Sequence, residues 1–227
     1  MQATLGLESI GIMEHTYHKI KGWFNWPEMY TRAVHLAPKK AVFVEIGCFR
    51  GKSTACLAVE AWNSGKEITI HAIDLWDTTK KIGCTVKEFM GNIPKFGGSR
   101  PSKRVTINPI QMDSKEAANL FKDRSIDFVW IDGDHRYSGC IGDIRAWWPK
   151  LKDGGWMGGD DLIHGGVRPA VEEFFGAECL PNSKDVGDWV RFQSATCHAG
   201  KGHLVPVSGG WVWWARSKGL DWRPVGL

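Results

Sequence analysis

The stretch Val42-Phe43-Val44-Glu45-Ile46-Gly47-Cys48-Phe49-Arg50-Gly51-Lys52-Ser53-Thr54 decides how this chain folds. An apolar run reaches Glu45-Ile46, two glycines follow four positions apart, and Lys52-Ser53-Thr54 opens a segment with helical spacing. The order is strand, glycine turn, helix.

Glycines let the backbone approach a ligand with no Cβ in the way, and a helix start offers unpaired N–H groups and the positive end of its dipole. An anionic part of a nucleotide-like cofactor suits such a turn. The spacing is neither G-x-G-x-x-G nor G-x-x-x-x-G-K-[ST], so the dinucleotide fingerprint and the phosphate loop both fit poorly. Glu45, Gly47 and Gly51 resemble instead the E/D-x-G-x-x-x-G first motif of class I S-adenosylmethionine-dependent methyltransferases. That resemblance implies cofactor contacts from Glu45, Gly47, Phe49, Gly51 and Ser53.

A chain of 227 residues with 43% apolar residues is long enough for one α/β core, and no composition shift divides it. One domain is expected, with a helical extension over 1–38, a cofactor-binding core over 39–176 and a C-terminal part over 177–227. The formal net charge of +4 is mild and the basic residues are dispersed, which argues against nucleic acid or an anionic membrane as partner. A small acceptor fits better. Cys48, Cys56, Cys84, Cys140, Cys179 and Cys197 lie far apart with no C-x-x-C pair, and the start has no basic-then-apolar leader. Reduced thiols in cytoplasm and no membrane span are expected. Thirteen tryptophans are unusual, and clusters such as Trp23 with Trp26 or Trp211 with Trp213 and Trp214 suit a pocket or a homo-oligomeric interface.

Along the chain, residues 1–38 suggest two short helices interrupted at Trp26-Pro27, with His15, His18 and Trp23 either solvated or facing a substrate. Helix 53–63 follows the glycine turn, and Ile68 to Asp74 is a second strand ending in an acid. An acid there can hold both ribose hydroxyls, so Asp74 is the candidate ribose ligand, with Leu75 or Trp76 over the adenine; capping a loop is its plain alternative. Residues 84–93 read as a helix and 96–103 as a basic loop. A third strand, 105–110, leads to Asp113-Ser114, where Ser114 is the expected cap of helix 115–122 and Asp113 a candidate for the adenine amino group. A fourth strand, 126–131, precedes helix 138–151, the Asp153-Gly154-Gly155 turn, and helix 167–175. Trp189-Val190-Arg191-Phe192 and Trp211 to Ala215 are expected to pair as an antiparallel hairpin. The whole reads as a doubly wound, Rossmann-like α/β fold, a mostly parallel seven-stranded sheet with helices on both faces.

In open sheets of this kind ligands bind beyond the carboxyl ends of the strands, where Glu45, Asp74, Asp132, Asp160 and Asp161 all fall. Several acids on one rim need a compensating charge. A divalent cation on Asp132, Asp160 and Asp161 supplies it, and an oxygen donor set points to magnesium, with manganese or calcium as substitutes. Arg136, Arg145 or Arg168 holding a metal-free rim is the alternative. His135 is a candidate base or an orienter of Asp132, and His164 a weaker candidate. Cys197, His198 and His203 have poor spacing for zinc.

The run Asp127 to Tyr137, then Trp147 to Gly155, Gly159-Asp160-Asp161 and Gly166 to Phe174, resembles the methyltransferase branch that contains metal-dependent macrolide-sugar O-methyltransferases. The resemblance covers residues 42–175. It implies magnesium on Asp132, Asp160 and Asp161, His135 as the base, Asp132 beside both cofactor and acceptor, and a hydroxyl of a small molecule, such as a sugar or polyol, as methyl acceptor. Two rivals stay open: a cofactor-binding protein without turnover, and a nucleic-acid methyltransferase, against which Asp132-Gly133-Asp134-His135 stands where an Asn/Asp-Pro-Pro-Tyr motif belongs.

Overall fold

The structure is a computed structural model, which describes residues 11–77, 79, 83–96, 104–162, 165–176 and 213–217. Its centre is β1 (Lys40–Ile46), where Phe43, Val44 and Ile46 are all buried. A strand apolar on both faces is stable only between two neighbours and two layers of helices. β1 lies between β2 (Glu67–Asp74) and β4 (Ile126–Ile131), with β3 (Val105–Gln111) beyond β2 and β5 (Leu151–Gly159) beyond β4. These five strands run parallel, in the order β3-β2-β1-β4-β5.

Helices cover both faces. On one, α1 (Pro27–Leu36) and α2 (Lys52–Asn63) pack Met29, Tyr30, Leu57 and Ala58 against Phe43, Ile68, Ile70 and Phe128. On the other, α4 (Ser114–Ala117), α5 (Tyr137–Trp147) and α6 (Val167–Phe175) pack Ile144, Trp147, Val171 and Phe175 against Val44, Val129 and Met157. α3 (Val86–Asn92) inserts Phe89 beside Trp76 in a smaller cluster. The Rossmann-like α/β architecture is as expected from the alternation of apolar runs.

The expected strand count is corrected. Among the described residues the sheet has six strands, five parallel and one short antiparallel strand, β6 (Trp213–Arg216), on the edge of β5. The other half of the expected hairpin, 189–192, lies outside the described residues, as do loop 194–209, His164, His198, His203 and most of the basic loop 96–103. Two helices are shorter than expected. The one after β3 is a single α-turn followed by a 3₁₀ turn, Ala118–Leu120. α5 stops at Trp147 because Pro149 has no N–H to continue it, so Leu151 opens β5 instead of closing a helix. The glycine pair expected as a turn lies within β5, where the register against β4 jumps between Ile126 and Phe128. Before the sheet, the described residues show one 3₁₀ turn, Tyr17–Lys19, and α1 with Pro27 at its first position.

Candidate active site

Register brings the site together. Ile46 of β1 stands level with Ile73 of β2 and Ile131 of β4, and Ile131 with Gly159 of β5. The next residue on each strand, Gly47, Asp74, Asp132 and Asp160, therefore lies on one rim. Hydrogen bonds continue across it: Gly47 N–H donates to the Ile73 carbonyl at 2.8 Å, and Asp132 N–H to the Ile46 carbonyl at 2.9 Å.

The glycine turn is fixed by close packing. A Cβ on Gly47, whose φ is +85°, would stand 2.0 Å from the Asp132 carbonyl oxygen, and one on Gly51, with φ +80°, would press on Phe89 and Ile93 at 3.0 Å. Phe49 and Trp76 also have positive φ, at 44° and 43°. Asp74 holds both: its carboxylate accepts the Phe49 N–H and the Trp76 N–H, each at 2.8 Å, and the Trp76 indole N–H returns to the Phe49 carbonyl at 2.9 Å. Such strain persists where surrounding bonds over-determine it.

Glu45 does something else. It is buried, accepts hydrogen bonds from the Tyr30 and Thr54 hydroxyls, and burial raises its pKa while those donors oppose the rise. It ties α1 and α2 to β1 through these two bonds.

Past β4, His135 stands between two acids, Nε2 3.3 Å from Asp132 and Nδ1 3.0 Å from Asp161. A ring facing a carboxylate at each nitrogen is best satisfied as the imidazolium, and the hydrogen bond to Asp132 raises its pKa despite partial burial. Burial pushes the Asp132 carboxyl up to about 7; His135 opposes that, and Asp160 and Asp161 add to it. Asp132, His135 and Asp161 offer ligand atoms within 4.8 Å of one another. Two hard oxygens and an imidazole suit a divalent cation.

Asp160, the third acid of the expected trio, stands beside these groups in the same cavity. Asp160 accepts the Trp26 indole N–H at 3.0 Å and the Asp161 N–H at 2.7 Å, while Asp161, with φ +60°, turns toward His135. Of the three arginines nominated as alternative partners, Arg136 pairs with Asp134, Arg145 with Glu173 and Arg168 with Glu172.

Two cavities open on this rim. The larger, about 670 Å³, runs from the glycine turn across β2 and β3 and is lined by Gly47, Phe49, Asp74, Leu75, Trp76, Asp113, Asp132 and His135 among others. The smaller, about 360 Å³, lies under the N-terminal segment, lined by Trp23, Asn25, Trp26, Lys52, Ser53, Asp160 and Asp161, with Gly47, Phe49, Asp132 and His135 again. The two meet at the acids and the histidine.

Of the residues nominated from sequence, Gly47, Phe49, Asp74, Leu75, Trp76, Asp113 and Asp132 share the larger cavity; Ser53 faces the smaller, and Glu45 and Gly51 line neither. Leu75 is exposed in the cavity mouth whereas Trp76 is buried, so Leu75 offers the open apolar surface. The cap of α4 is Asp113, which accepts the Lys115 and Glu116 N–H groups; Ser114 donates to Asp143 instead. His15 pairs with Glu60 of α2 at 2.7 Å. Sequence reasoning missed Asp143, a buried acid lining the larger cavity, and the bond from Trp26 to Asp160. An acid at an apolar position of the α5 face was the only signal for the first.

No helix among the described residues is long and apolar enough to cross a membrane. No curated protein matches the chain in sequence. Among solved structures, the O-methyltransferase NovP aligns with a TM-score of 0.53 at 13% identity, over 85% of this chain and 79% of its own. An rRNA methylase from Streptococcus thermophilus aligns at 0.51 and 12%, over 87% of this chain and 100% of its own. MycE methyltransferase from the mycinamycin biosynthetic pathway, in complex with Mg and SAH, aligns at 0.51 and 14%, over 91% of this chain and 54% of its own. Identities this low establish the fold alone. Residues 44–162, more than half of the chain and the span that carries the glycine turn and the acidic rim, match the family described as Methyltransferase domain. The chain belongs to that family and is an S-adenosylmethionine-dependent methyltransferase.

Proposed function

We propose that the protein transfers a methyl group to a hydroxyl of a small molecule with the help of a divalent cation, magnesium by preference. The observation that carries this reading is the junction of two cavities at Asp132 and His135. One cavity is large enough for a nucleoside cofactor, the other for a modest acceptor, and the groups able to activate a hydroxyl stand where they join.

In the larger cavity Asp74 and the glycine turn face the cofactor's sugar and tail, and Leu75 and Asp113 its base. The cofactor supplies a methyl carbon made electrophilic by a positive sulfur. Asp132 and Asp161 would hold the cation, whose charge lowers the pKa of a hydroxyl beside it. With the cation's charge on Asp132 and Asp161, His135 would be the neutral imidazole and would take the proton the acceptor gives up, the flanking carboxylates holding the ring in line. When bound, the cofactor would give its methyl group to the acceptor oxygen and keep the sulfur as a neutral thioether, while the chain's part is to align that oxygen and receive its proton. Trp26 and Asp160, bonded to one another, form part of the wall beside this point. The magnesium held by MycE and the O-methyltransferase activity of NovP support the same assignment.

The test is a screen of hydroxylated small molecules with isotope-labelled S-adenosylmethionine, with magnesium and with chelator. Magnesium-stimulated label transfer that disappears in His135→Ala is expected. Cofactor binding without cation-dependent transfer to any hydroxyl would refute it.

A further inference from the structure

Trp23 is 75% exposed, although a large apolar side chain gains by burial. It is nevertheless held in place. Its indole stacks on Phe49 with centroids 6.2 Å apart and planes inclined by 23°, and the preceding Gly22, at φ +141°, makes the bend that carries it there. The Lys52 ammonium donates to the Gly22 carbonyl at 2.9 Å on one side, and the Trp26 indole is tied to Asp160 on the other. The chain is thus anchored on both sides of Trp23, and its indole lies over Phe49 with most of its surface open, as a wall of the smaller cavity that also holds His135 and Asp161.

We propose that Trp23 is the acceptor platform and sets specificity: the methyl acceptor is a ring compound that lays one face on the Trp23 indole and extends a ring hydroxyl toward His135. The proposal rests on the methyl-transfer reading and names the shape of its acceptor. A fixed indole rewards a ligand with a flat or nearly flat apolar face, because stacking then adds to burial with little ordering cost. An open-chain polyol has no such face and loses internal rotations on binding. Asn25, in the same wall, offers both a donor and an acceptor to the ring's other hydroxyls. The ring face is common to aromatic diols and to pyranosides, so both kinds belong in the test.

The probes are 1,2-dihydroxybenzene, methyl α-glucopyranoside and the open-chain sorbitol, each titrated in the presence of S-adenosylhomocysteine and magnesium against the wild type, Trp23→Phe and Trp23→Ala. Binding is read by saturation-transfer NMR and methylation by label transfer from S-adenosylmethionine. The expected result is that at least one ring compound binds more tightly than sorbitol, that Trp23→Ala weakens it by about tenfold or more, and that Trp23→Phe restores most of the loss. Affinity for S-adenosylhomocysteine stays unchanged in both variants, which shows them folded. The proposal is overturned if neither ring compound outbinds sorbitol, or if Trp23→Ala binds the rings as the wild type does. Trp23-dependent ring binding with no methylation of any probe upholds the platform while counting against the methyl-transfer reading.

Discussion

Gly47 and Asp132 are in backbone contact across the sheet rim, with the Asp132 carbonyl oxygen 2.0 Å from where a Gly47 side chain would begin. The contact joins the glycine turn to the acid that faces both cavities. Neither backbone can yield, because Asp132 N–H is bonded to Ile46 and Gly47 N–H to Ile73. Gly47→Ala should therefore combine a steric clash with a strained φ and cost about 3–5 kcal/mol. Urea unfolding measures it, and a loss below about 1 kcal/mol would show that the rim relaxes more freely than this packing allows.

Asp74 serves two N–H donors and Asn can serve only one, since its amide nitrogen would face the other donor. Asp74→Asn is expected to destabilise the fold by about 1–3 kcal/mol and to weaken S-adenosylhomocysteine binding by roughly one to two orders of magnitude. Calorimetry with unaltered affinity would remove Asp74 from the cofactor site.

The adjacent acids meet different partners, Asp160 the Trp26 indole and Asp161 the His135 ring. Asp160→Asn keeps an oxygen for Trp26 and for the Asp161 N–H, so magnesium stimulation should survive. Asp161→Asn removes a charge from the group around His135 while Asn tolerates the left-handed backbone, so stimulation should vanish with cofactor affinity intact. Label-transfer rates against magnesium concentration compare the two, and equal loss in both would mean that Asp160 also holds the cation.

Asp143 gives a pH signature of folding. Burial raises its pKa to about 6; the Ser114 hydroxyl and Lys115 oppose the rise, and Asp113 and Asp134 add to it. The folded chain thus keeps a proton between about pH 4 and pH 6 that the unfolded chain has released, so this residue's contribution to stability falls as pH rises through that window. Asp143→Asn does not titrate. Its stability relative to the wild type should improve by roughly 2 kcal/mol between pH 4 and pH 7. Urea midpoints that move in parallel over that range would contradict it.

The sequence by itself determined the strands, their order of appearance and the rim where acids gather, because a buried strand's apolar run, the glycines after it and the helix start are properties of neighbours in the chain. β1, β2, β4, α2 and α6 fall where their periodicity puts them, and Gly47, Asp74 and Asp132 do meet beside one cavity. Tertiary structure alone decided what each carboxylate does. Glu45 sits within the same motif as Gly47, yet Tyr30 and Thr54 draw it into the core; Asp160 and Asp161 are consecutive, yet Trp26, 134 positions before Asp160, claims the first and leaves the second to His135. A carboxylate's task depends on which donor reaches it once distant segments have packed, and local spacing does not encode that.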